Sequence, residues 1–369
     1  WEVFADEEAE IRRMMDSDRR DDYSEELIRR IQDVLEIALD DPTFEFGIDE
    51  GKHDLVLVTQ GDKTRLFEYV YFRDHAPESV LENWKITVGR PPRPEFHLRV
   101  FDLDVCGDDV DVWVERTEED RISLKVHCDK VQGSMEDEDK VWWMLFTVVD
   151  NFIGEVANMR QVESFEVVDD LPEGQPIRLS DLPKAIEDLG IVLTNDADSY
   201  LKRYTVYKTE PNRESDGPWR FDIISGSNCC PQIVNDYYSG ERRYVNTLHA
   251  DGAVAGYIAY SLDTFDGDDR SDRIFDFRDS LEEALTDKAG ENSFTVIGGA
   301  TGLYYGYLDL IAWDLSSVLL AAQEFLTDSG VSEAFFRVFA MDVPTCLIAN
   351  NKDGDADLDL DDIDYIPYD

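Results

Sequence analysis

Hydrophobic residues recur at two different periods along the chain, and the change of period marks its organisation. From Ser24 to Leu39, Leu27, Ile28, Ile31, Val34, Leu35 and Ala38 fall at i, i+3, i+4 spacing, which predicts an amphipathic helix. Ser24 stands where an N-cap belongs, and Pro42 prevents continuation. A shorter helix is expected over residues 7–15. From residue 44 the period falls to two. Asp54–Thr59 reads as a strand, Gln60–Lys63 as a turn and Arg65–Phe72 as the returning strand. A short helix over 77–84 and a strand over 85–88 follow, then the stiff run Pro91-Pro92-Arg93-Pro94. Three further strands are expected near 96–103, 110–116 and 121–128. Ser134-Met135-Glu136-Asp137 has the form of a capping box with Asp in its last position. It opens the run Val141–Val149, apolar all round, which predicts a helix covered on more than one side. Trp142, Trp143 and Phe146 then belong to the core, a stacking platform being the alternative. A strand over 162–168 closes this part.

Residues 169–176, rich in Pro, Gly and acid, read as a linker, and Ser180 caps a short helix ending near Leu189. Beyond residue 250 the order becomes regular. A strand over 252–260 leads to a helix capped by Asp276. Strands over 294–297 and 303–311 flank Gly298-Gly299-Ala300-Thr301-Gly302. A helix capped by Asp314 and a strand over 334–340 follow. This β-α-β-β-α-β order is the split βαβ, or ferredoxin-like, arrangement. The first half has the same ingredients with extra strands. The predicted class is therefore α+β, with two ferredoxin-like (split βαβ) domains, mostly antiparallel sheets and helices on one face. The expected divisions are N-terminal helices over 1–42 and a first α+β domain over 43–170. A linker with a short helix over 171–200, a second α+β domain over 201–349 and an acidic tail over 350–369 complete the chain.

Composition narrows the function classes. The 369 residues carry 83 Asp+Glu against 35 Lys+Arg, a formal net charge of −48. That balance excludes a general nucleic-acid binder, which needs a basic footprint, and disfavours anionic membranes. A content of 43% hydrophobic and 11% aromatic residues is enough for a core and argues against disorder. No stretch approaches the ~20 apolar residues of a membrane span. Residues 1–7 lack the charged-then-apolar pattern of a signal peptide. Five cysteines, an odd number without regular spacing, read as free thiols, so a cytoplasmic location is expected. No C-x-x-C pair suggests zinc, and no cofactor is implied. The acids are spread through every segment, as a solvated surface would have them. A basic protein is the natural complement to such a charge.

Three segments carry candidate chemistry. In Ser225-Gly226-Ser227-Asn228-Cys229-Cys230-Pro231, a thiol near a helix start would have a lowered pKa, with His249 and Asp251 available as base and orienter. A Gly/Ser turn followed by buried cysteines is the competing reading. The glycine-rich stretch 298–302 is followed by a strand rather than a helix, so it reads as a hairpin turn needing positive φ and not as a phosphate cradle. Along that strand Tyr305, Tyr307, Asp309 and Trp313 alternate onto one face, either as a ligand pocket or as a packed rim. In the tail, Asn351, Asp353, Asp355, Asp357, Asp359 and Asp362 take the alternation of a calcium loop. Ala356 replaces its central Gly, and Asp362 its bidentate Glu.

Two stretches together resemble a known group: Val149-Asp150-Asn151-Phe152-Ile153-Gly154-Glu155, and the glycine-rich run 298–302 followed by Tyr304–Asp309. They are similar to bacterial proteins of unknown function with domains like the regulator of ribonuclease E activity, subtype B. The resemblance covers about a third of the chain. It implies a ferredoxin-like α+β domain that binds protein, and it carries no catalytic residues across. Within this chain Glu155 is expected at the end of the preceding helix, where a carboxylate gains nothing from the dipole. The function expected is a non-enzymatic binding or regulatory protein for a basic partner, nuclease-inhibitor or immunity-like. The alternatives are a cysteine-dependent enzyme centred on Cys229, Cys230 and His249, and calcium binding through the tail.

Overall fold

The computed structural model describes residues 1–17, 24–49, 51–100, 102–117, 120–134 and 137–352. The chain divides into two units, Trp1–Leu201 and Lys202–Asp369.

The first unit begins with α1 (Glu2–Met15) and α2 (Ser24–Leu35), whose buried stripes are Phe4, Ile11, Met14 and Met15, and Leu27, Ile31 and Leu35. The strands β1 (Phe44–Asp49) and β2 (Lys52–Leu57) pair antiparallel. Residues 65–72, expected to be a strand, lie in helix α3 (Lys63–Asp74). Asp62 caps it, its carboxylate accepting from the Thr64 amide at 2.8 Å. The β-rich composition Phe67-Glu68-Tyr69-Val70-Tyr71-Phe72 concealed that cap. Topology requires the helix, because β2 pairs in parallel with β3 (Trp84–Val88) and parallel neighbours need a crossover. The short α4 (Glu78–Leu81) completes that crossover. Trp1 locks α1 onto this layer, stacking on Phe72 at 4.3 Å and donating to the Phe72 carbonyl.

The rest of the unit starts with the hairpin β4 (His97–Val100) and β5 (Leu103–Cys106). Then follow β6 (Asp111–Arg116), β7 (Ile122–His127), α5 (Asp129–Gln132), α6 (Glu138–Ile153), α7 (Glu155–Gln161) and β8 (Val162–Val167). β9 (Ile177–Arg178), α8 (Leu182–Asp188) and α9 (Ala197–Leu201) end it. A four-stranded sheet runs β8-β7-β6-β9, with β7 and β8 parallel. Val112, Leu124 and Val126 of this sheet bury against Met144, Leu145 and Val148 of α6 and Leu182 and Ile186 of α8. Each such side chain contributes roughly 1.5–3 kcal/mol. Among its described residues the first unit thus distributes its strands over three separate sheets of three, two and four strands. Helix α6 also departs from expectation. Its first half is covered on one side, with Trp142 and Trp143 exposed at 43% and 50%, whereas residues 148–153 are buried all round, as expected.

Among its described residues the second unit builds one seven-stranded sheet with helices packed on it. Its elements are β10 (Thr205–Lys208), β11 (Ile223–Asn228), α10 (Pro231–Ser239), α11 (Arg243–Ala250), β12 (Val254–Ser261) and α12 (Arg270–Ala289). They continue with β13 (Phe294–Gly302), β14 (Tyr305–Ala312), α13 (Leu315–Asp328), β15 (Glu333–Val338) and β16 (Cys346–Asn350). The strand order is β10-β11-β13-β14-β12-β15-β16, and every pair is antiparallel. Both faces are covered, so the expectation of helices on one face does not hold for this sheet. Ile258, Tyr260, Leu308 and Leu310 pack against Leu281 and Leu285 of α12 and Val318, Ala322 and Leu326 of α13. The alternate residues Tyr257 and Tyr307 turn to the opposite face, where α10 supplies Tyr237. Two-sided burial explains why β12 and β14 read as nearly continuous apolar runs.

Two further local expectations are corrected. Gly298-Gly299-Ala300-Thr301-Gly302 is not a turn but the second half of β13, and none of its glycines has positive φ. Glycine is needed there for close approach. A Cβ on Gly298 would lie 2.3 Å from the Ser227 carbonyl oxygen, and one on Gly302 2.2 Å from the Asp222 carboxylate. Helix α12 starts at Arg270, so Asp276 is internal rather than a cap. Before Leu281 it buries only Ile274, which leaves its first turns without a periodic signal.

Candidate functional site

Strand β14 sends Tyr305, Tyr307 and Asp309 to the face opposite α12 and α13, and they meet a charged partner there. Asp309 is fully buried and binds Arg220, equally buried, through both carboxylate oxygens, the Nη2–Oδ2 contact being 3.2 Å. Asn228 donates to the same carboxylate at 3.0 Å, and the Arg220 Nη2 also reaches the Tyr207 hydroxyl at 2.8 Å. Tyr257, Tyr307 and Phe339 surround the guanidinium at 5.0–5.3 Å. Burial pulls the Arg220 pKa down, but Asp309 outweighs it and holds the value well above the ordinary range. Arg220 adopts a left-handed φ of 65°, at a cost of roughly 1–3 kcal/mol. The acid predicted among aromatics is therefore real, but its ligand is an arginine of the same chain. Trp313 lies beyond the strand and donates to Thr295 at 2.9 Å.

Sequence reasoning missed both Arg220 and Asp222, since the stretch 209–222 shows no period. Asp222 is fully buried and accepts from the Tyr304 amide at 2.8 Å, the Tyr305 amide at 3.0 Å and the Tyr307 hydroxyl. Those bonds fix the β13–β14 turn. The turn in turn presents Tyr304 and Tyr305 to a cavity of about 290 Å³, lined by Ser215, Asp216, Ser261, Asp263, Tyr304, Tyr305 and Glu333, with Leu262 and Leu303. Three of these residues are carboxylates and two are tyrosines. The Tyr305 hydroxyl donates to Glu333 at 3.0 Å, and Ser332 donates to Asp263 at 2.6 Å. Burial and the Glu333 charge push the Tyr305 pKa up, so the phenol stays protonated and donating. The Ser332 bond holds the Asp263 carboxyl below its usual value, with Ser261 and the Lys352 charge acting in the same direction. Lys352, which is not itself a lining residue, pairs with one wall residue, its Nζ 2.5 Å from the Glu333 carboxylate.

The other candidate residues are placed as follows. Cys229 and Cys230 are both buried where β11 meets α10. Cys229 is hydrogen-bonded to the Tyr204 hydroxyl, and the Cys230 thiol faces Gln232 at 3.8 Å. His249 sits on the exposed side of α11, its pKa lowered by partial burial and by Arg242, and Asp251 is the residue after that helix. Asn351 uses its amide to hold the carbonyls of Leu326 and Val331, a structural role. Asp353, Asp355, Asp357, Asp359 and Asp362 lie outside the described residues. Among the described residues, no group of three or more His, Cys, Asp or Glu could hold a metal ion.

In the first unit Glu155 is not at a helix end but opens α7, where a carboxylate is favoured by the dipole. Gly154 makes the junction with a φ of 88°, and Asn195 fills the space a Cβ would need. Glu155 is buried and accepts from the Thr59 hydroxyl at 2.9 Å, the Gly61 amide at 3.2 Å and the Arg90 amide at 2.9 Å. Nearby Asp150 accepts from Asn158 at 2.8 Å and Arg90 at 2.9 Å. Burial, aided by the Glu155 charge and opposed by Asn158 and Arg90, pushes its carboxyl from 3.8 up to about 6. Between those values the folded chain binds a proton that the unfolded chain has lost. Stability from this group therefore falls as pH rises from about 4 to about 6, by up to ~3 kcal/mol, and stays level above. Urea midpoints measured at both ends of this window will show a smaller drop for Asp150→Asn than for the native chain. Equal drops would mean that Asp150 titrates as it does in the unfolded state.

With this geometry in hand, comparison with known proteins adds no relative: the chain matches no protein-family model, no curated protein and no solved structure. Among the described residues, no helix is long and apolar enough to cross a membrane.

Proposed function

We propose that the protein acts by binding a basic protein partner, and that the tyrosine–carboxylate cavity of the second unit receives a lysine or arginine side chain of that partner. The observation that carries this reading is Lys352. Its ammonium sits at Glu333, whose carboxylate is oriented by Tyr305, and its charge reaches Asp263. One carboxylate of the cavity wall thus already pairs with an ammonium of this chain, the same chemistry proposed for the partner. Its size supports the reading: about 290 Å³ is at or below the lower end of small-molecule sites and suits one side chain. The net charge of −48 would speed encounter with a cationic partner and reject anionic ones.

In the second unit the order β12-α12-β13-β14-α13-β15, with central strands β13-β14-β12-β15, supports the ferredoxin-like reading of that segment. Together with the resemblance to regulator-like bacterial proteins, it favours a cytoplasmic regulatory or inhibitory role over catalysis. The test uses a short peptide of alternating Lys and Gly, titrated calorimetrically at low salt. The pair Asp263→Asn/Glu333→Gln will weaken binding about fivefold or more. The pair Glu283→Gln/Glu291→Gln removes the same two charges from exposed positions and will change it less than twofold. Equal effects from both pairs would reduce the site to general acidity and refute the reading.

A further inference from the structure

The outer side of α6 leaves two large aromatic residues without a covering element. Trp142 and Trp143 are 43% and 50% exposed, whereas Val141, Met144, Leu145 and Val148 on the other side are buried. The exposed side is not loosely built. Trp142 stacks on Phe146 at 4.8 Å and 10°, and both meet Phe165 of β8 edge-on, at 5.7 and 5.3 Å. The three rings form a rigid platform, and Trp143 stands beside it. One turn before them on the same helix are Glu138 and Asp139, both exposed and without an ion pair among the described residues. The neighbouring cations are committed elsewhere: Lys140 pairs with Asp137 at 2.9 Å, and Lys125 with Glu166 at 3.4 Å.

We propose that this face of α6 is a second docking surface, which stacks arginine side chains of a basic protein partner on Trp142 and Trp143 while Glu138 and Asp139 meet their charge. The proposal rests on the basic-partner reading above and adds a residue preference to it. Guanidinium is planar and weakly hydrated, so it stacks on an indole face better than ammonium does. Charge complementarity selects this occupant. An aromatic platform for nucleic-acid bases needs a cationic groove along the backbone, and a membrane belt on anionic lipid needs Lys or Arg nearby; here the adjacent free charges are carboxylates. A second copy of the chain would bring the same net charge of −48.

The full chain is titrated at low salt with fluorescein-labelled hexaarginine and hexalysine, read by anisotropy. Trp143→Ser will raise the hexaarginine Kd about five- to tenfold and the hexalysine Kd less than twofold. Trp143→Phe will recover most of the loss. Trp142 also supports Phe146 and Phe165, so the second variant is Glu138→Gln/Asp139→Asn. It leaves the rings untouched and will weaken hexaarginine about threefold or more. Unchanged hexaarginine affinity in Trp143→Ser, or equal losses for both peptides, overturns the proposal and leaves the cavity reading standing. Tryptophan-dependent binding of a deoxythymidine decamer or of anionic vesicles, in place of hexaarginine, overturns it in favour of those partners. Failure of the native chain to bind either peptide refutes the basic-partner reading, and this proposal with it.

Discussion

Replacing Asp309 by alanine will lower the stability of the second unit by about 3–5 kcal/mol, measured by urea unfolding. The change removes the carboxylate that both guanidinium nitrogens of Arg220 and the Asn228 amide depend on. Arg220 is fully buried and cannot lose its proton, so its charge would remain without compensation among Tyr257, Tyr307 and Phe339. The double variant Asp309→Leu/Arg220→Met removes both charges and will recover most of the loss, because a buried ion pair has little net advantage over apolar packing. The resulting double-mutant cycle will show a coupling of at least about 2 kcal/mol. A loss below about 1 kcal/mol in Asp309→Ala would mean that water reaches the pair.

In the first unit, Glu155→Ala will cost about 3 kcal/mol. Glu155 satisfies three donors: the Thr59 hydroxyl and the amides of Gly61 and Arg90. Each buried donor left without an acceptor costs roughly 1–3 kcal/mol. Two of them belong to the Thr59–Gly61 turn, where Gln60 and Gly61 have φ of 54° and 79°. The turn closes on itself through the Asp62 amide and the Thr59 carbonyl, and Glu155 ties it to α7. Hydrogen exchange at the Gly61 and Arg90 amides will therefore accelerate more than at the β2 and β3 amides paired within the sheet. Glu155→Gln will cost less, since one oxygen remains, but it turns an N–H group toward existing donors. Uniform acceleration across the unit would show that Glu155 supports global stability rather than this junction.

How far the sequence was legible follows from the range of each signal. Helix α2 could be read because Leu27, Ile31 and Leu35 repeat within two turns. The cap of α13 could be read because Asp314 and Ser317 are three residues apart, and their bond forms as the spacing implies. The tyrosine and acid alternation on β14 was visible for the same reason. The partner of Asp309 was not: Arg220 lies 89 residues away, in a stretch with neither helical nor strand period. Glycine runs were misread where their purpose was a close approach between strands. Gly298 and Gly302 are required by Ser227 and Asp222, which only sheet pairing brings near. Residues 65–72 were misread because strand-forming composition outweighed a two-residue cap signal, while the parallel pairing of β2 and β3 that demands a helix is non-local.

By itself the sequence determined the α+β class, most element positions, the net charge of −48 and the line of Tyr305, Tyr307 and Asp309 along one strand. These properties depend on residue type and on spacings of two to four residues, which the chain carries locally. The tertiary structure alone decided which charges are buried together, that both faces of the second sheet are covered, and that Trp142 and Trp143 stay outside. It also decided that three carboxylates and two tyrosines converge on one cavity. Those outcomes depend on which distant segments share a sheet edge or a helix face. Burial is limited by the area those neighbours supply, so no local pattern can specify it.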